Sequence, residues 1–436
     1  MPKLFNKITI AGWRQLENVE IDFHNRLTII TGPNGTGKST LLGLLNRHFG
    51  YNRQFYSTPM KKKKLNGQSF LYGVFSFFKR ESLKIKNAEN SREINIGSIE
   101  YGDESISRIF LVKSNNIAYP IKIENQQGIR GIHIDSHRPP SVYKDVPNIS
   151  MKPINSQNAT NQLESEFRNY YQTGQTGVGT LFHIKSALIS MTIHGHGNPN
   201  MEPQPELLDM FRRFENKLSE ILPESLGFEE LQIRSSEVVL KTRTGSFIID
   251  AASGGIVKLF EITWQLFFFA ENSDNFVVTM DEPENHLHPT IQRTFLANFM
   301  NAFPQAQFIV VTHSPFIISS IKDSEVYVLN YFETDGREFE EDDQVSSSLS
   351  GQKRISSQKL DIINKAGTAT QILREALGVP TTIPDWAGDR VKQLVAEYQE
   401  RKITPELLNS LHEQLTKEGL ISEYPKAVND LIGTSR

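Results

Sequence analysis

Hydrophobic and polar positions change rhythm several times along this chain. Residues 4–32 hold three short mixed runs, LFNKITIAGW, VEIDF and LTIITG, whose β-branched content predicts strands. The next segment, KSTLLGLLNRHF, shifts to helical spacing. Alternation returns between residues 66 and 134, in INIGSIEY, SRIFLVK and YPIKIE, and predicts a β-rich segment ending near GIRGIHIDS. Residues 141–200 are polar, rich in Asn, Gln, Gly and Pro, with helical pieces such as NQLESEFRNYYQ. A stronger helix follows, in which Leu207, Leu208, Phe211, Phe214, Leu218 and Ile221 fall at helical spacing. Strands resume in ELQIRSSEVVLKTRTGSFIID. NFVVTMDEPE and AQFIVVTHS are short and mostly apolar, as strands covered on both faces of a parallel sheet are. After VYVLNYF the chain turns acidic and then Ser-rich, which reads as a linker or mobile loop, and from about Leu360 it reads as helical. No internal repeat or long heptad array interrupts this order.

The rhythm divides the chain into five parts. An N-terminal lobe spans 1–140, a mainly helical insertion 141–229 and a C-terminal lobe of the same domain 230–332. A linker follows at 333–359 and a helical region at 360–436. With 436 residues, 38% of them hydrophobic, there is enough chain for a sizeable core. A net charge of −3 gives no global pull toward nucleic acid or an anionic membrane. There is no cysteine, which excludes disulfides and Cys-type zinc sites. The first fifteen residues lack the apolar core of a signal peptide, and the longest apolar run, near Ile262–Ala270, is too short to span a bilayer. A cytoplasmic protein without membrane contact is expected.

Three motifs carry chemistry. GPNGTGKS, Gly32 to Ser39, fills the pattern G-x-x-x-x-G-K-[ST] between a predicted strand and a predicted helix. Gly32, Gly35 and Gly37 let backbone N–H groups wrap phosphates, with Asn34 in the same turn, and the helix start adds its positive dipole end. Lys38 is placed for the β/γ-phosphates and Ser39 for Mg²⁺; Thr40 continues the set into the helix. In FVVTMDEPENHLHP an apolar strand delivers two adjacent carboxylates. Asp281 is suited to the magnesium shell and Glu282 to polarising a water as general base. In FIVVTHSPF a second apolar strand ends at His313, which could sense the γ-phosphate. A fourth stretch, AASGGIVKLF at 251–260, has the small size of a phosphate-binding turn at Ser253, Gly254 and Gly255.

In order and context these four stretches resemble an ABC-type P-loop ATPase, with Walker A, signature, Walker B and switch histidine. DEPENHLHP with THSPF is most similar to the branch that holds OLD-family, SMC-like and DNA-repair ATPases. The resemblance covers residues 1–50 and 230–330 firmly. It implies an α/β fold: an ATPase head with an N-terminal antiparallel β subdomain, a helical insertion and a C-terminal helical region. It implies ATP and Mg²⁺ as cofactors. It also implies a homo-oligomer built on ATP-sandwich dimers, in which Ser253, Gly254 and Gly255 close over the nucleotide of a second, head-to-tail copy. AASGG departs from the family's usual LSGG but keeps Ser-Gly-Gly. An arginine early in such chains touches the phosphates; Arg14 in GWRQL reads either as that residue or as an ordinary surface arginine. The family's glutamine loop would fall near HIDSHRPPS, where His137 or Arg138 could stand in for it.

Function depends on what the ATP-driven dimer moves. One expectation is the sensor subunit of an anti-phage system, resembling the ATPase subunits of PARIS and Septu. It would hold a separate effector such as a Toprim-like or HNH nuclease, with a phage protein or nucleic acid as trigger. The alternative is a DNA-repair or SMC-like ATPase acting directly on DNA. A nuclease in cis is disfavoured, because residues 322–436 lack a strand-end Glu followed by an Asp-x-Asp cluster. Weaker signals read as bland: the Lys61–Lys64 run as a solvated loop, His194 and His196 as part of a flexible loop, and His286 and His288 as shaping the turn after Walker B.

Overall fold

Three strands open the chain in this computed structural model: β1 (Phe5–Trp13), β2 (Leu16–Asp22) and β3 (Leu27–Thr31). The structure describes residues 3–56, 59–64, 67–72, 93–112, 117–139, 142–149, 156–175, 177–333, 353–361, 369–375, 377, 383–399 and 403–434. β1 sends Phe5, Ile8, Ile10 and Trp13 inward and leaves the positions between them partly open, whereas β3 buries all five residues. That contrast separates a strand with one wet face from a strand in the middle of a sheet. α1 (Lys38–Asn46) follows β3 and turns Leu41, Leu42, Leu44 and Leu45 into the same core.

Next come β4 (Phe55–Tyr56), β5 (Pro59–Lys64), β6 (Gly67–Tyr72), β7 (Glu93–Tyr101), β8 (Ile106–Val112), β9 (Ala118–Tyr119), β10 (Ile121–Ile123) and β11 (Gly131–Ile134). The four-lysine run is not a loop. Lys61–Lys64 lies in β5, paired antiparallel with β6. A ladder is made by backbone groups, so lysines weaken a strand without forbidding it. Helices α2 (Ser156–Thr173), α3 (Thr180–His196) and α4 (Pro205–Ile221) then precede a three-stranded meander, β12 (Phe228–Arg234), β13 (Glu237–Thr242) and β14 (Gly245–Ile248). His194 and His196 belong to the last turn of α3, not to a loop; Gly197, at φ 64°, marks where that helix ends.

The second half supplies the core of the parallel sheet: α5 (Gly254–Glu271), β15 (Phe276–Asp281), α6 (Pro289–Ala302), β16 (Ala306–Val311), α7 (Pro315–Ile318), β17 (Glu325–Glu333) and β18 (Lys353–Lys359). α5 is buried at every position from Gly255 to Phe268, as a helix that is apolar nearly all round must be. Among the described residues, eleven strands form one sheet in the order β10-β8-β7-β1-β2-β18-β17-β3-β16-β15-β11. β17, β3, β16, β15 and β11 run parallel; β10, β8, β7, β1 and β2 form an antiparallel wing. The result is a mixed α/β architecture, with a parallel half continued by an antiparallel wing.

β18 joins the two halves. It pairs antiparallel with β17 and meets β2 at Ile355↔Leu16. The Ile355 N–H donates to the Gln15 carbonyl at 2.8 Å, and the Ser357 hydroxyl is hydrogen-bonded to the backbone of Glu20 in both directions. Residues 353–359 were expected to be linker; they are a central strand. Their sequence, KRISSQK, conceals this because its pairing is carried by backbone and by the single fully buried apolar side chain, Ile355.

The chain divides into two compact units, residues 1–372 and 373–436, with α8 (Ala369–Glu375) across the boundary. The second unit contains α9 (Asp385–Gln399), α10 (Pro405–Lys417) and α11 (Tyr424–Thr434) around a core of its own that includes Leu394, Leu411, Leu415 and Leu431. Among the described residues no helix is long and apolar enough to cross a membrane.

Candidate nucleotide site

Parallel strands present their carboxyl ends at one edge of the sheet, the usual place for a ligand in such a fold. β3 ends at Thr31 and enters the glycine turn; β15 ends at Asp281; β16 leads through Thr312 to His313. Gly32, Gly35 and Gly37 all have positive φ, at 135°, 83° and 82°. At Gly32 no side chain fits, because a Cβ would fall against the Leu329 carbonyl oxygen of β17. Asn34 and Gly35 are exposed at the tip, and the Asn34 carbonyl accepts a 3.2 Å hydrogen bond from the Tyr331 hydroxyl.

Lys38 folds back over this turn. Its Nζ donates to the carbonyls of Gly32 and Pro33, both at 3.0 Å, and only 6% of the residue is exposed. Burial pushes its pKa down to about 8, against the upward pull of Asp281, Glu282 and Glu284. Ser39 is exposed at the start of α1, and Thr40 is half-buried beside it.

Asp281 is 6% exposed, and burial raises its carboxyl to about 6, while the nearby Ser39 hydroxyl works in the opposite direction. Its Oδ1 is buried with no hydrogen-bond partner among the described residues. A buried carboxylate oxygen left open normally costs free energy, so it marks a place where something else is to be held. Glu282 follows at φ 45°, its N–H donating to the Val311 carbonyl at 2.8 Å. Its Oε1 lies 3.7 Å from His313 Nε2, and its Oε2 accepts from the Asn285 amide at 3.1 Å. His313 is pushed toward its neutral form, first by burial and then by Lys38, with Glu282 opposing. The sequence-predicted lysine, aspartate, glutamate and histidine are therefore gathered at one edge of the sheet.

Several participants were not legible beforehand. Glu284 receives three hydrogen bonds on Oε1, from the Thr312 hydroxyl at 2.7 Å, the His313 N–H at 2.8 Å and the Ser314 N–H at 3.1 Å. It ties the loop carrying His313 to the turn after β15. Asp135 follows β11, whose last residue, Ile134, pairs with Met280; it therefore stands beside Asp281 and helps raise its pKa. Of the two residues expected in place of the glutamine loop, His137 is exposed, while Arg138 makes a buried ion pair with Glu261 of α5 at 3.2 Å.

Ser253 and Gly254 are exposed at the start of α5, and Gly255 is buried behind them. The Ser253 side chain makes no capping hydrogen bond, and a Cβ at Gly254 would meet open space. Packing within the chain thus does not require glycine at 254. The residues just before this turn are firmly seated: Lys185 of α3, fully buried, donates to Asp250 at 2.9 Å and to the Lys144 carbonyl at 2.7 Å. Arg14 sits at φ 58° in the β1–β2 turn. Its guanidinium donates to the Tyr119 hydroxyl and the Tyr56 carbonyl, each at 2.9 Å, and lies over the Trp13, Phe55 and Tyr119 rings.

A family model described as "AAA domain, putative AbiEii toxin, Type IV TA system" matches residues 27–319, about two thirds of the chain. A probable ATPase of retron Vc95 from Vibrio cholerae is 37% identical over 54 residues, 12% of this chain and 10% of that protein. The Septu protein PtuA from Bacillus mycoides is 29% identical over 143 residues, 32% of this chain and 18% of that protein. The chain thus matches less than a fifth of the length of either relative. Among solved structures, the SMC head domain from Thermotoga maritima is similar at 13% identity and a TM-score of 0.40, covering 82% of this chain and 99% of that one.

Proposed function

The chain belongs to this AAA-domain, putative AbiEii-toxin family, and from that premise we propose that it hydrolyses ATP between two head-to-tail copies of itself. The observation that carries this reading is the gathering of Lys38, Asp281, Glu282 and His313 at one edge of the sheet, with an Asp281 oxygen buried and unpartnered among the described residues. The residues fit ATP and Mg²⁺. The backbone of Gly32–Ser39 would cradle the phosphates with Lys38 against the β/γ groups, while Ser39 and Asp281 would hold the cation. When bound, Mg²⁺ neutralises charge on the β- and γ-phosphate oxygens. Glu282 takes the proton of the attacking water, and His313, beside it, hydrogen-bonds the γ-phosphate or that water. Ser253 and Gly254, open and not needed by their own chain's packing, supply the surface that closes over a second copy's nucleotide.

Mixing two inactive variants tests the shared site. Ser253→Arg keeps its own P-loop but blocks closure; Lys38→Ala keeps its signature turn but loses the phosphate cation. Each alone should lack ATPase activity. Mixed together, one of the two sites joins an intact P-loop to an intact turn, so ATP-dependent pairing should return, seen as a cross-link. Normal pairing and turnover by Ser253→Arg alone would show that this turn serves no neighbour.

The related retron and Septu proteins support a place in anti-phage defence, as a sensor that controls a separate effector such as a nuclease. On this reading the pure chain hydrolyses ATP and leaves DNA and RNA intact. Metal-dependent cleavage by the pure chain, lost on changing carboxylates other than Asp281 and Glu282, would overturn it. Tight DNA binding that weakens steeply with salt would favour direct action on DNA.

A further inference from the structure

The turn between β15 and α6 holds its backbone in an unfavourable shape. Glu282 has φ 45° and His286 has φ 68°, so both ends of the turn lie in the left-handed region without being glycine. Such settings persist only where the surroundings enforce them. Here the enforcement is specific. The Asn285 side-chain amide donates to Glu282 Oε2 at 3.1 Å, and since a carboxylate can only accept, the amide's orientation follows. This leaves Oε1 on the side of His313.

Asn285 is itself anchored from another element. Its backbone carbonyl accepts a 3.2 Å hydrogen bond from Nζ of Lys258, which is 5% exposed and projects from α5. Burial is the main influence on Lys258 and pushes it down to about 7, with Arg138 acting in the same direction and Glu284, Glu261 and Glu282 opposing. α5 also backs directly onto the turn: a Cβ at Gly255 would lie 2.9 Å from the His286 carbonyl oxygen. The helix that begins with the exposed Ser253 and Gly254 therefore both touches the turn and hydrogen-bonds the residue that clamps Glu282.

We infer that Asn285 is a positioning residue that holds Glu282 in its working orientation, and that Lys258 fastens this clamp to α5. The base of one site is thereby linked, inside one chain, to the turn that the same chain offers to its neighbour. The inference rests on reading Glu282 as the base and adds the means by which that base is set.

Steady-state ATPase assays on the full chain test it, with equilibrium ATP binding measured alongside. Asn285→Ala should lower kcat about tenfold, the scale of losing a hydrogen bond to a charged group, with KM and ATP affinity changed less than about twofold. Asn285→Asp keeps the shape but removes the donor, so its kcat should fall at least as far; a space-filling role would leave it near wild type. Lys258→Met should show the same loss in kcat alone, with recovery in Lys258→Arg. The double variant of Asn285→Ala and Lys258→Met should be little worse than Asn285→Ala, because the two act through one contact. Wild-type kcat in both Asn285 variants, with Glu282→Gln inactive, would overturn the clamp and leave the base intact. Wild-type turnover by Glu282→Gln would instead remove the reading on which the clamp depends. Independent, multiplying losses in the double variant would overturn the link to α5.

Discussion

Glu282→Gln is expected to slow ATP hydrolysis by at least about a hundredfold while ATP and Mg²⁺ remain bound, the usual scale for losing a general base. The substitution is close to isosteric. A glutamine carbonyl can still accept from Asn285, so the turn keeps the hydrogen bond that holds it. Asp281, the proposed cation ligand, and Lys38 are untouched. What disappears is a group able to take a proton from water. Binding therefore survives and the step that opens the dimer does not, so an ATP-bound dimer should accumulate. Phosphate release and light scattering on the same sample read both effects. Normal release would mean that another group activates the water; loss of binding would mean that Glu282 is structural.

Lys38→Ala is expected to weaken ATP binding by about a hundredfold or more without lowering the unfolding temperature of the free protein. The two effects come from one cause. Lys38 is nearly inaccessible, and burial drives its pKa down to about 8, so holding it as a cation disfavours the free protein. Its hydrogen bonds to the Gly32 and Pro33 carbonyls offset part of that cost. Once phosphate arrives, the same desolvated cation meets opposite charge where water screens little, and its contribution reverses sign. The variant gives up that gain together with the standing cost. Calorimetric titration with ATP and a thermal melt of the free protein separate the two. A melting temperature lowered by ten degrees would show that Lys38 mainly holds the loop together.

The parts of this protein that could be read from its residues are those whose environment is uniform along the chain. β15 and β16 are buried on both faces, so FVVTMD and AQFIVV announce themselves, and the residues that follow each strand are placed by its end. The glycine turn is similar, since its three positive φ values demand glycine at fixed offsets. What escaped depends on partners far away in sequence. β18 reads as linker because, among its described side chains, only Ile355 is fully buried while its neighbours pair through backbone. The Lys258 contact needed α5 to lie against a turn 27 residues on. A signal was present there, though: two charges, Lys258 and Glu261, inside the buried and mostly apolar stretch of α5 from Gly255 to Phe268. Charge at helical spacing in a helix with no wet face must be spoken for by something.

The position of β18 has a consequence for how the protein is made. The antiparallel wing through β2 includes residues that leave the ribosome early, yet the strand that completes its edge begins at Lys353. At roughly 5–20 residues per second, β2 waits on the order of half a minute for its neighbour. Throughout that interval one edge of the nascent wing is unpaired, and an open strand edge is a template for pairing with other chains. Ribosomes spaced along one message would hold several such edges close together. Synthesis that stops short of residue 353 would release a polypeptide with all of its motifs present and its sheet in two unjoined pieces.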